Sequence, residues 1–381
     1  MLRYLSSSLF LAIISLLGIG LVQVYSSSFI FAIESYGDGL YFFKRQLVFA
    51  LLAVSVLVTT VHIPWKIVEK FGWMLWLLAT LGIIATFIPG IGVRVGGAIR
   101  WLQLPFGLRF EPGELLKIAF SILFASLMVR KENLLGRIPW YYLFLALVLP
   151  LVLLLKQPDF GTFAIILVVA VALLFAFGLQ WKYIIAAGSI LLPLFYFLVM
   201  TVPYRRARVL AFLDPWSDPA QKGFQVIQSM LSFQSGRLTG AGLGQGQGKL
   251  FFLPEAHTDF TLAVLGEELG FIGFVVILSL YGFVVFRGIQ IAVKVEDTFK
   301  RALCLGLTMT FALSVFINAG VVMGLLPTKG LTLPFLSYGG SSLVALCFMF
   351  GLILNIENSL EEDKTSRPFG HRWSSVKVQS K

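Results

Sequence analysis

Residues 253–260 and 266–270, with the sequences LPEAHTDF and GEELG, hold the residue types best suited to chemistry. Together they bring four carboxylates and one of only three histidines into a chain that is 58% hydrophobic. They lie where a polar stretch ends and an apolar run of membrane length begins. Because ionisable groups at membrane depth are costly, they usually face a water-filled cavity and mark function. The two segments therefore predict an active centre that opens at one face of a membrane.

Asp259 is the predicted catalytic residue of this centre, because it stands at the start of the eighth apolar run. A carboxylate at the mouth of a cavity with low-dielectric walls suits a general base. The structural alternative is that Thr258 or Asp259 caps the helix that follows. Glu255 and His257 are predicted to position Asp259, to bind a divalent cation with it, or to line the substrate path.

Glu267 and Glu268 lie about two turns further into the same apolar run. A structural role is favoured for them over catalysis. One or both are predicted to accept hydrogen bonds from neighbouring helices or from Arg and Lys side chains.

A second group of charges surrounds Arg100, Glu114 and Lys117. Glu114 and Lys117 are three residues apart, so they share one face of a helix and are predicted to pair. The pair is either a structural staple or part of a substrate site in which Arg100 and Lys117 meet the phosphates of a lipid-linked donor. Arginine suits diphosphate geometry, whereas lysine contributes a point charge.

Two outer segments add further candidates. Asp159, in the short turn QPDFGT at residues 157–162, is predicted either to cap the sixth apolar run or to bind a cation beside the cavity. Arg205 belongs to a cluster of basic residues in the long polar connection and is a predicted substrate-binding residue. The Gly-rich run 240–248 lacks the ending of a phosphate-binding loop, so a nucleotide site is not predicted there.

Residues 326–342 read LPTKGLTLPFLSYGGSS and precede the last apolar run. Pro, Gly and Ser at this density predict a broken or re-entrant helix start, which is tolerated only against protein or a cavity. Close packing of small residues between helices is the alternative. Lys329 and Ser337 are the predicted substrate-binding residues of this segment.

The composition indicates an integral membrane protein. The 381 residues are only 13% charged, whereas soluble domains are nearer a quarter charged. The net charge of +11 comes from basic residues scattered between apolar runs, which favours anionic lipid or a phosphorylated lipid substrate over nucleic acid. Cys304 and Cys347 lie inside apolar runs and are predicted to be buried packing residues rather than a disulfide.

An all-α polytopic membrane fold is predicted, because continuous apolar runs satisfy their backbone in lipid only as helices. Ten runs of spanning length lie near residues 8–28, 46–63, 72–90, 112–129, 139–155, 160–178, 182–201, 260–286, 302–324 and 336–355. An even number places both termini on one side, and the basic short loops make that side cytoplasmic. Lys44, Arg45, Arg94, Arg100 and Arg109 fall on the outer side, where an anionic substrate would favour them.

The membrane domain is predicted to cover residues 1–356. The polar connection 202–259 is predicted to be extracytoplasmic, ordered and packed on the membrane domain, because loops of this length are usually functional or disordered and aromatic residues recur in this one. Residues 91–111 are predicted to be re-entrant or interfacial. The charged, Ser-rich tail 357–381 is predicted to be cytoplasmic and disordered.

Several of these segments together resemble the SEDS family of polytopic peptidoglycan glycosyltransferases. The matching motifs are IRWL, QPDFGT, LPEAHTDF, GEELG and LPTKGLTLPFLSYGGSSL, and the resemblance extends from about Arg100 to Asn358. Ala256 and Gly266 resemble the cell-division branch more than the elongation branch. Residues 111–114 read EPGE where the family commonly has Gln-Pro-Ser-Glu, and Arg100 stands alone before Trp101 where many members have two basic residues.

The resemblance implies polymerisation of lipid II at the outer face of the bacterial cytoplasmic membrane during cell division. A glycan strand on undecaprenyl diphosphate would be the donor, and the 4-hydroxyl of lipid II would attack it with inversion. Asp259 would be the base, while Arg100, Lys117 or a divalent cation (Mg²⁺ or Mn²⁺) held by Asp259, Glu255 and Asp159 would stabilise the leaving group. The implied partners are a class B penicillin-binding protein transpeptidase and other cell-division proteins.

Two other functions are compatible with the same residues. A flippase for a lipid-linked precursor would use Asp259, Glu114 and Lys117 as gating or coupling charges, and a scaffold would recruit partner enzymes without chemistry. The long outer loop favours the enzyme, because a transporter needs its polar site near the bilayer midplane. A scaffold needs no acidic cluster at a cavity mouth.

Overall fold

The computed structural model describes residues 3–366 except 96–97, 134–139, 202–205, 207–208, 211, 220–222, 250–252 and 329. Its secondary structure is almost entirely helical. The helices are α1 (Ser8–Tyr36), α2 (Tyr41–Val61), α3 (Trp65–Thr86), α4 (Pro112–Asn133), α5 (Trp140–Lys156), α6 (Phe160–Ala176), α7 (Trp181–Met200), α8 (Phe224–Gly236), α9 (Thr261–Lys294), α10 (Thr298–Val322) and α11 (Gly340–Ser366).

The predicted all-α membrane fold is confirmed. Each of the ten predicted spans coincides with one of these helices, and α8 is the remaining helix of those given above. Within the described part of the chain, seven helices are long and apolar enough to cross a membrane, namely α1, α2, α3, α4, α9, α10 and α11. The protein is therefore a multi-pass membrane protein.

Three helices form the centre of the bundle. The spanning windows of α4, α10 and α11 are 78%, 67% and 72% buried, whereas those of α2, α3 and α9 are each 28% buried. The outer helices turn large apolar side chains toward lipid, as the 64% exposure of Leu51 shows. The buried charges Glu114 and Lys117 lie on one of the three central helices, α4.

The segment predicted to be re-entrant or interfacial contains a small antiparallel sheet. Its strands are β1 (Gly92–Val95), β2 (Ala98–Gln103) and β3 (Arg109–Phe110), in the order β1-β2-β3. Leu102 pairs with both Gly92 and Phe110, so β2 is the central strand. The sheet supplies hydrogen-bond partners for backbone groups between α3 and α4, and it fixes the direction of β2.

Helix α9 is interrupted at Gly270, whose φ of 67° and ψ of −169° are far from helical values. Residues 237–242 of the outer loop lie beside the break. There Phe271 N donates to Arg237 O at 2.9 Å, and Gly242 N donates to Glu268 O at 3.0 Å. The loop thus supplies partners for backbone groups near the break, which is the condition for irregular backbone at membrane depth.

The described parts of the long polar connection are ordered and packed on the membrane helices, as predicted. Helix α8 lies against α9 and the end of α10, and Ser229 donates to Val322 O at 2.6 Å. Further along, Lys249 Nζ lies 2.6 Å from Glu268 Oε1, and Ser26 of α1 donates to the same carboxylate at 2.7 Å. This buried cluster ties the loop to two membrane helices.

The predicted tail begins within the last helix. Helix α11 continues past residue 357 to Ser366, and Glu357 is held by Arg287 Nη2 at 2.8 Å and by the Ser7 hydroxyl at 2.6 Å. These contacts join α11 to α9 and to the N-cap of α1. The charged side chain of Glu357, which suggested a tail residue, is therefore paired within the bundle. Residues 367–381 lie outside the described residues.

We expect Gly270→Ala to destabilise the protein by about 1–3 kcal/mol, because its backbone conformation is essentially restricted to glycine. A Cβ atom there would also collide with Gly240 N of the outer loop. The matched control is Gly282→Ala in the same helix, where a Cβ would meet no atom within 4 Å. Thermal unfolding in detergent should show a lower Tm for the first variant only; equal Tm values would contradict the structural role of the break.

Candidate active site

Asp259 lies in a turn of residues 254–260 directly before α9. The N-cap position of α9 is Phe260, which follows Asp259 directly. Its side chain is half-buried. The carboxylate therefore stands at the end of the bundle where α9 begins.

Two buried side chains hold the Asp259 turn against the segment between α10 and α11. Asn318 Nδ2 of α10 donates to Asp259 O at 3.0 Å and to Leu331 O at 2.6 Å. Ser337 donates to Thr258 O and accepts from Leu333 N at 2.8 Å. Ser337 is 5% exposed, so the structure places this predicted substrate-binding residue in a positioning role.

Arg100 of β2 joins three outer segments at one point. Its Nη1 donates to Gly330 O at 2.9 Å, and its Nη2 donates to Pro158 O at 3.0 Å. Nη1 also lies 3.7 Å from Asp159 Oδ1. The sheet thus brings Arg100 to the turn before α6 and to the segment after α10.

Gly330 is the place where Asp259 and Arg100 meet. A Cβ atom at this position would lie 3.2 Å from Asp259 Oδ2 and 3.4 Å from Arg100 Nη1. Any side chain would crowd both groups. A carboxylate and a guanidinium therefore converge at this end of the bundle, although they are 159 positions apart in the chain by their numbers.

Asp159 performs one of its two predicted roles. Its Oδ1 accepts from Thr162 N at 3.3 Å and so caps α6. Its carboxylate also faces Arg100 and lies near the first turn of α4, where a Cβ at Gly113 would be 3.6 Å from Asp159 Oδ2. Asp159 is 2% exposed, so its charge is balanced inside the protein by Arg100.

Glu114 and Lys117 pair as predicted, with Lys117 Nζ 2.8 Å from Glu114 Oε1. Both side chains are buried, and both line a small cavity with Thr310 and Ser314 of α10. The pair lies inside the bundle behind the start of α4. In this structure the Lys117 ammonium is engaged by Glu114.

Glu111 precedes α4 and is a titratable group that the sequence analysis noted only as a departure from the family motif. Burial raises the pKa of its carboxyl to about 8, and the charges of Glu114 and Asp159 act in the same direction against the opposing effect of Arg100 and Lys117. The carboxyl therefore carries a proton near neutral pH. This limits the negative charge beside Arg100.

His257 and Glu255 point to different surroundings. The His257 ring stacks on Phe31 with centroids 5.3 Å apart and packs on Phe42 at 4.9 Å. Burial lowers the pKa of His257 and keeps the imidazole neutral. Glu255 is exposed, and its Oε2 accepts from the Thr258 hydroxyl at 2.7 Å.

These placements do not form the predicted cation site of Asp259, Glu255 and Asp159. Among the described residues, no group of three or more His, Cys, Asp or Glu side chains is arranged to hold a metal ion. Asp159 is paired with Arg100, and Glu255 is bonded to Thr258. Three protein carboxylates therefore do not fit a divalent cation here.

Some of the remaining predicted roles are confirmed, and other predicted residues lie outside the described part of the chain. Glu267 accepts from Gln247 N at 2.7 Å and Glu268 binds Lys249, which confirms their structural role. Cys304 and Cys347 are buried and free, as predicted. Arg205 and Lys329 lie outside the described residues.

Sequence reasoning missed the contribution of Gln46 in α2. Gln46 is 1% exposed, and its Oε1 accepts from Gly339 N at 3.3 Å while its Nε2 donates to Ser337 O at 3.4 Å. A lone amide inside an apolar run was the available signal, because a polar group in a membrane helix needs a partner.

Comparison with known proteins places this arrangement in a family. A model of the family described as cell cycle protein, which covers FtsW, RodA and SpoVE, matches residues 7–362. The chain belongs to the FtsW/RodA/SpoVE family. A relative from Geobacter sulfurreducens, named "Probable peptidoglycan glycosyltransferase FtsW", is 45% identical over 347 residues, which are 90% of this chain and 92% of the relative. A protein of the same name from Thioalkalivibrio sulfidiphilus is 39% identical over 94% of this chain and 90% of its own length.

Solved structures of family members share the fold. A chain of a peptidoglycan synthase complex, described as coordinating polymerization and crosslinking, superposes with a TM-score of 0.74 at 29% identity and covers 93% of this chain and 98% of its own. The rod-shape-determining protein RodA of Thermus thermophilus superposes with a TM-score of 0.67 at 25% identity, over 92% of this chain and 96% of RodA. The family assignment therefore extends over the whole membrane domain.

For this family member we expect Glu111→Gln to raise stability at pH 8 and to change it little at pH 5. The pKa of Glu111 rises from 4.5 to about 8 on folding, so the unfolded chain loses its proton more readily and stability falls as the pH rises between these values. Glutamine cannot ionise and removes that loss. Tm measured between pH 5 and 8 tests this.

The control is Glu69→Gln on the exposed surface of α3, which should leave the pH dependence of Tm unchanged. A Glu111→Gln protein whose Tm follows that of the unaltered protein at every pH would show that the carboxyl is already ionised in the fold.

Proposed function

We propose that this chain is a peptidoglycan glycosyltransferase that polymerises lipid II into glycan strands. The observation that carries the proposal is the convergence of the Asp259 carboxylate and the Arg100 guanidinium on Gly330, at the outer end of a membrane domain of this family. The names of the relatives supply the reaction class. The arrangement offers a base and a cation at one site, and inverting transfer from a diphosphate requires both, acting on opposite faces of the sugar.

Asp259 acts as the general base in this mechanism. The 4-hydroxyl of the incoming lipid II sugar gives its proton to the Asp259 carboxylate while its oxygen bonds to the anomeric carbon of the strand. The bond from that carbon to the diphosphate oxygen breaks, and the electron pair leaves with undecaprenyl diphosphate. Attack and departure occur on opposite faces of the sugar, so the anomeric configuration inverts.

Arg100 stabilises the charge that develops on the departing diphosphate. Its guanidinium is held in place by Gly330 O, Pro158 O and Asp159, so it does not need to reorganise during the reaction. A guanidinium also matches the geometry of two neighbouring phosphate oxygens. Lys117 lies deeper in the bundle and is paired with Glu114. Any stabilisation of the leaving group by Lys117 would therefore involve that ion pair.

No step of the mechanism passes through a divalent cation, because the three candidate carboxylates do not converge. A crosslinking enzyme, in the form of a penicillin-binding transpeptidase, and other division proteins are the proposed partners. The structural similarity to a chain of a complex that couples polymerization and crosslinking supports the transpeptidase.

We expect Asp259→Asn to reduce the rate of strand synthesis by about 10²–10⁴-fold, because that is the usual contribution of a general base. The matched control is Asp214→Asn, since Asp214 is an exposed aspartate of the same outer loop. Gel analysis of products made from purified lipid II by each protein in detergent measures the effect. Long strands at the unaltered rate from the Asp259→Asn protein would remove Asp259 from the role of base.

The proposal requires Asp259 on the outer side and both termini in the cytoplasm of a bacterial cell. We expect a cysteine at Ser235, exposed on α8, to react with an impermeant thiol reagent applied to intact spheroplasts. A cysteine at Lys66, exposed at the start of α3, should react only after lysis. Both are introduced with Cys304 and Cys347 replaced by alanine, and the reverse pattern would contradict an extracytoplasmic polymerase.

A further inference from the structure

A cluster of aromatic side chains at the turn between α1 and α2 is not used by the proposed mechanism. Tyr36 ends α1, and Tyr41 begins α2. Their rings stack face to face with centroids 3.9 Å apart and an interplanar angle of 7°. Tyr36 remains 52% exposed, so this stack lies at the surface of the outer mouth.

Arg45 adds a cation to the exposed stack. Its guanidinium carbon lies 4.5 Å from the centroid of the Tyr41 ring. The neighbouring Lys44 is paired with Asp38 at 2.8 Å, whereas no carboxylate among the described residues lies within ion-pair distance of Arg45. Arg45 is also one of the basic residues that depart from the positive-inside rule.

The aromatic cluster is continuous with the catalytic turn. Phe42 contacts Tyr36 and Tyr41 on one side and His257 on the other, with ring centroids 5.6, 5.2 and 4.9 Å away. His257 is two residues from Asp259 in the chain. A ligand bound on the exposed tyrosines would therefore lie beside the turn that carries the proposed base.

We propose that Tyr36, Tyr41 and Arg45 form an accessory subsite for the saccharide–peptide headgroup of the lipid-linked substrate, with Arg45 binding a peptide carboxylate. The proposal rests on the function proposed above. Tyrosine combines a flat apolar face, which suits the C–H face of a sugar ring, with a hydroxyl at its edge. The guanidinium of Arg45 matches a carboxylate through two parallel hydrogen bonds.

The alternative for exposed tyrosines in a membrane protein is an interfacial anchor, since Tyr and Trp are enriched at both bilayer surfaces. Tyr25 of α1 provides the matched comparison. It is 40% exposed and contacts Phe29 and Phe43 rather than the cluster. A general effect of removing an exposed tyrosine ring from α1 would be shared by Tyr36 and Tyr25, whereas a subsite would depend on Tyr36 alone.

The test measures binding of fluorescent lipid II to the Asp259→Asn protein in nanodiscs of phosphatidylethanolamine and phosphatidylglycerol, so that no turnover occurs. The competitor is the water-soluble disaccharide–peptide released from lipid II. We expect Tyr36→Leu and Arg45→Gln to weaken competition by this headgroup by about 3- to 30-fold, which is the range for one aromatic or charged contact. Tyr36→Phe keeps the ring and should stay close to the reference, as should Tyr25→Leu.

Undecaprenyl diphosphate as a second competitor separates the two anions of the substrate. Competition by this lipid should not change in Arg45→Gln if Arg45 binds the peptide carboxylate; a loss confined to this lipid would overturn that assignment. Any of three results would overturn the subsite. Headgroup binding is unchanged in Tyr36→Leu and Arg45→Gln, it is reduced equally in Tyr25→Leu, or it is absent from the Asp259→Asn reference. Strand synthesis by the unaltered protein is measured in parallel, and its absence alone would contradict the polymerase and not the binding result.

Discussion

Backbone that leaves the helical conformation at membrane depth must find its hydrogen-bond partners inside the protein, and this constraint governs the active site. Asp259, Arg100 and Gly330 all lie on non-helical segments. The side chains of Asn318 and Arg100 donate hydrogen bonds to carbonyl groups of those segments. The same contacts that make the irregular backbone tolerable also bring a carboxylate and a guanidinium together, so folding and chemistry depend on one set of hydrogen bonds.

The break in α9 follows the same rule on a larger scale. Gly270 opens the helix, and the outer loop supplies partners beside it. Glu268 then holds the loop through Lys249, while Ser26 of α1 binds the same carboxylate. Breaking one partner of such a buried pair usually costs several kcal/mol, because the remaining charge is left unpaired. The loop is consequently part of the membrane domain rather than an appendage to it.

Paired charges elsewhere join elements that are distant in the chain. Arg287 and Glu357 link α9 to α11 at one end of the bundle, and Arg100 and Asp159 link the sheet to α6 at the other end. Glu114 and Lys117 lie one turn apart on α4 and need no tertiary contact to pair. The difference explains why the sequence predicted the last pair and missed the partners of the first two.

The sequence by itself determined the helical membrane fold, the positions of ten helices and the pairing of Glu114 with Lys117, because apolar run length and helical spacing are local properties. It also singled out Asp259, since a charged residue at the edge of an apolar run stands out without any fold. Only the tertiary structure decided that residues 92–110 form a sheet, that Ser337 is buried, and that Asp159 pairs with Arg100. Those outcomes depend on which outer segments meet, and hydrogen bonds between segments more than 50 residues apart leave no periodic signal in the chain.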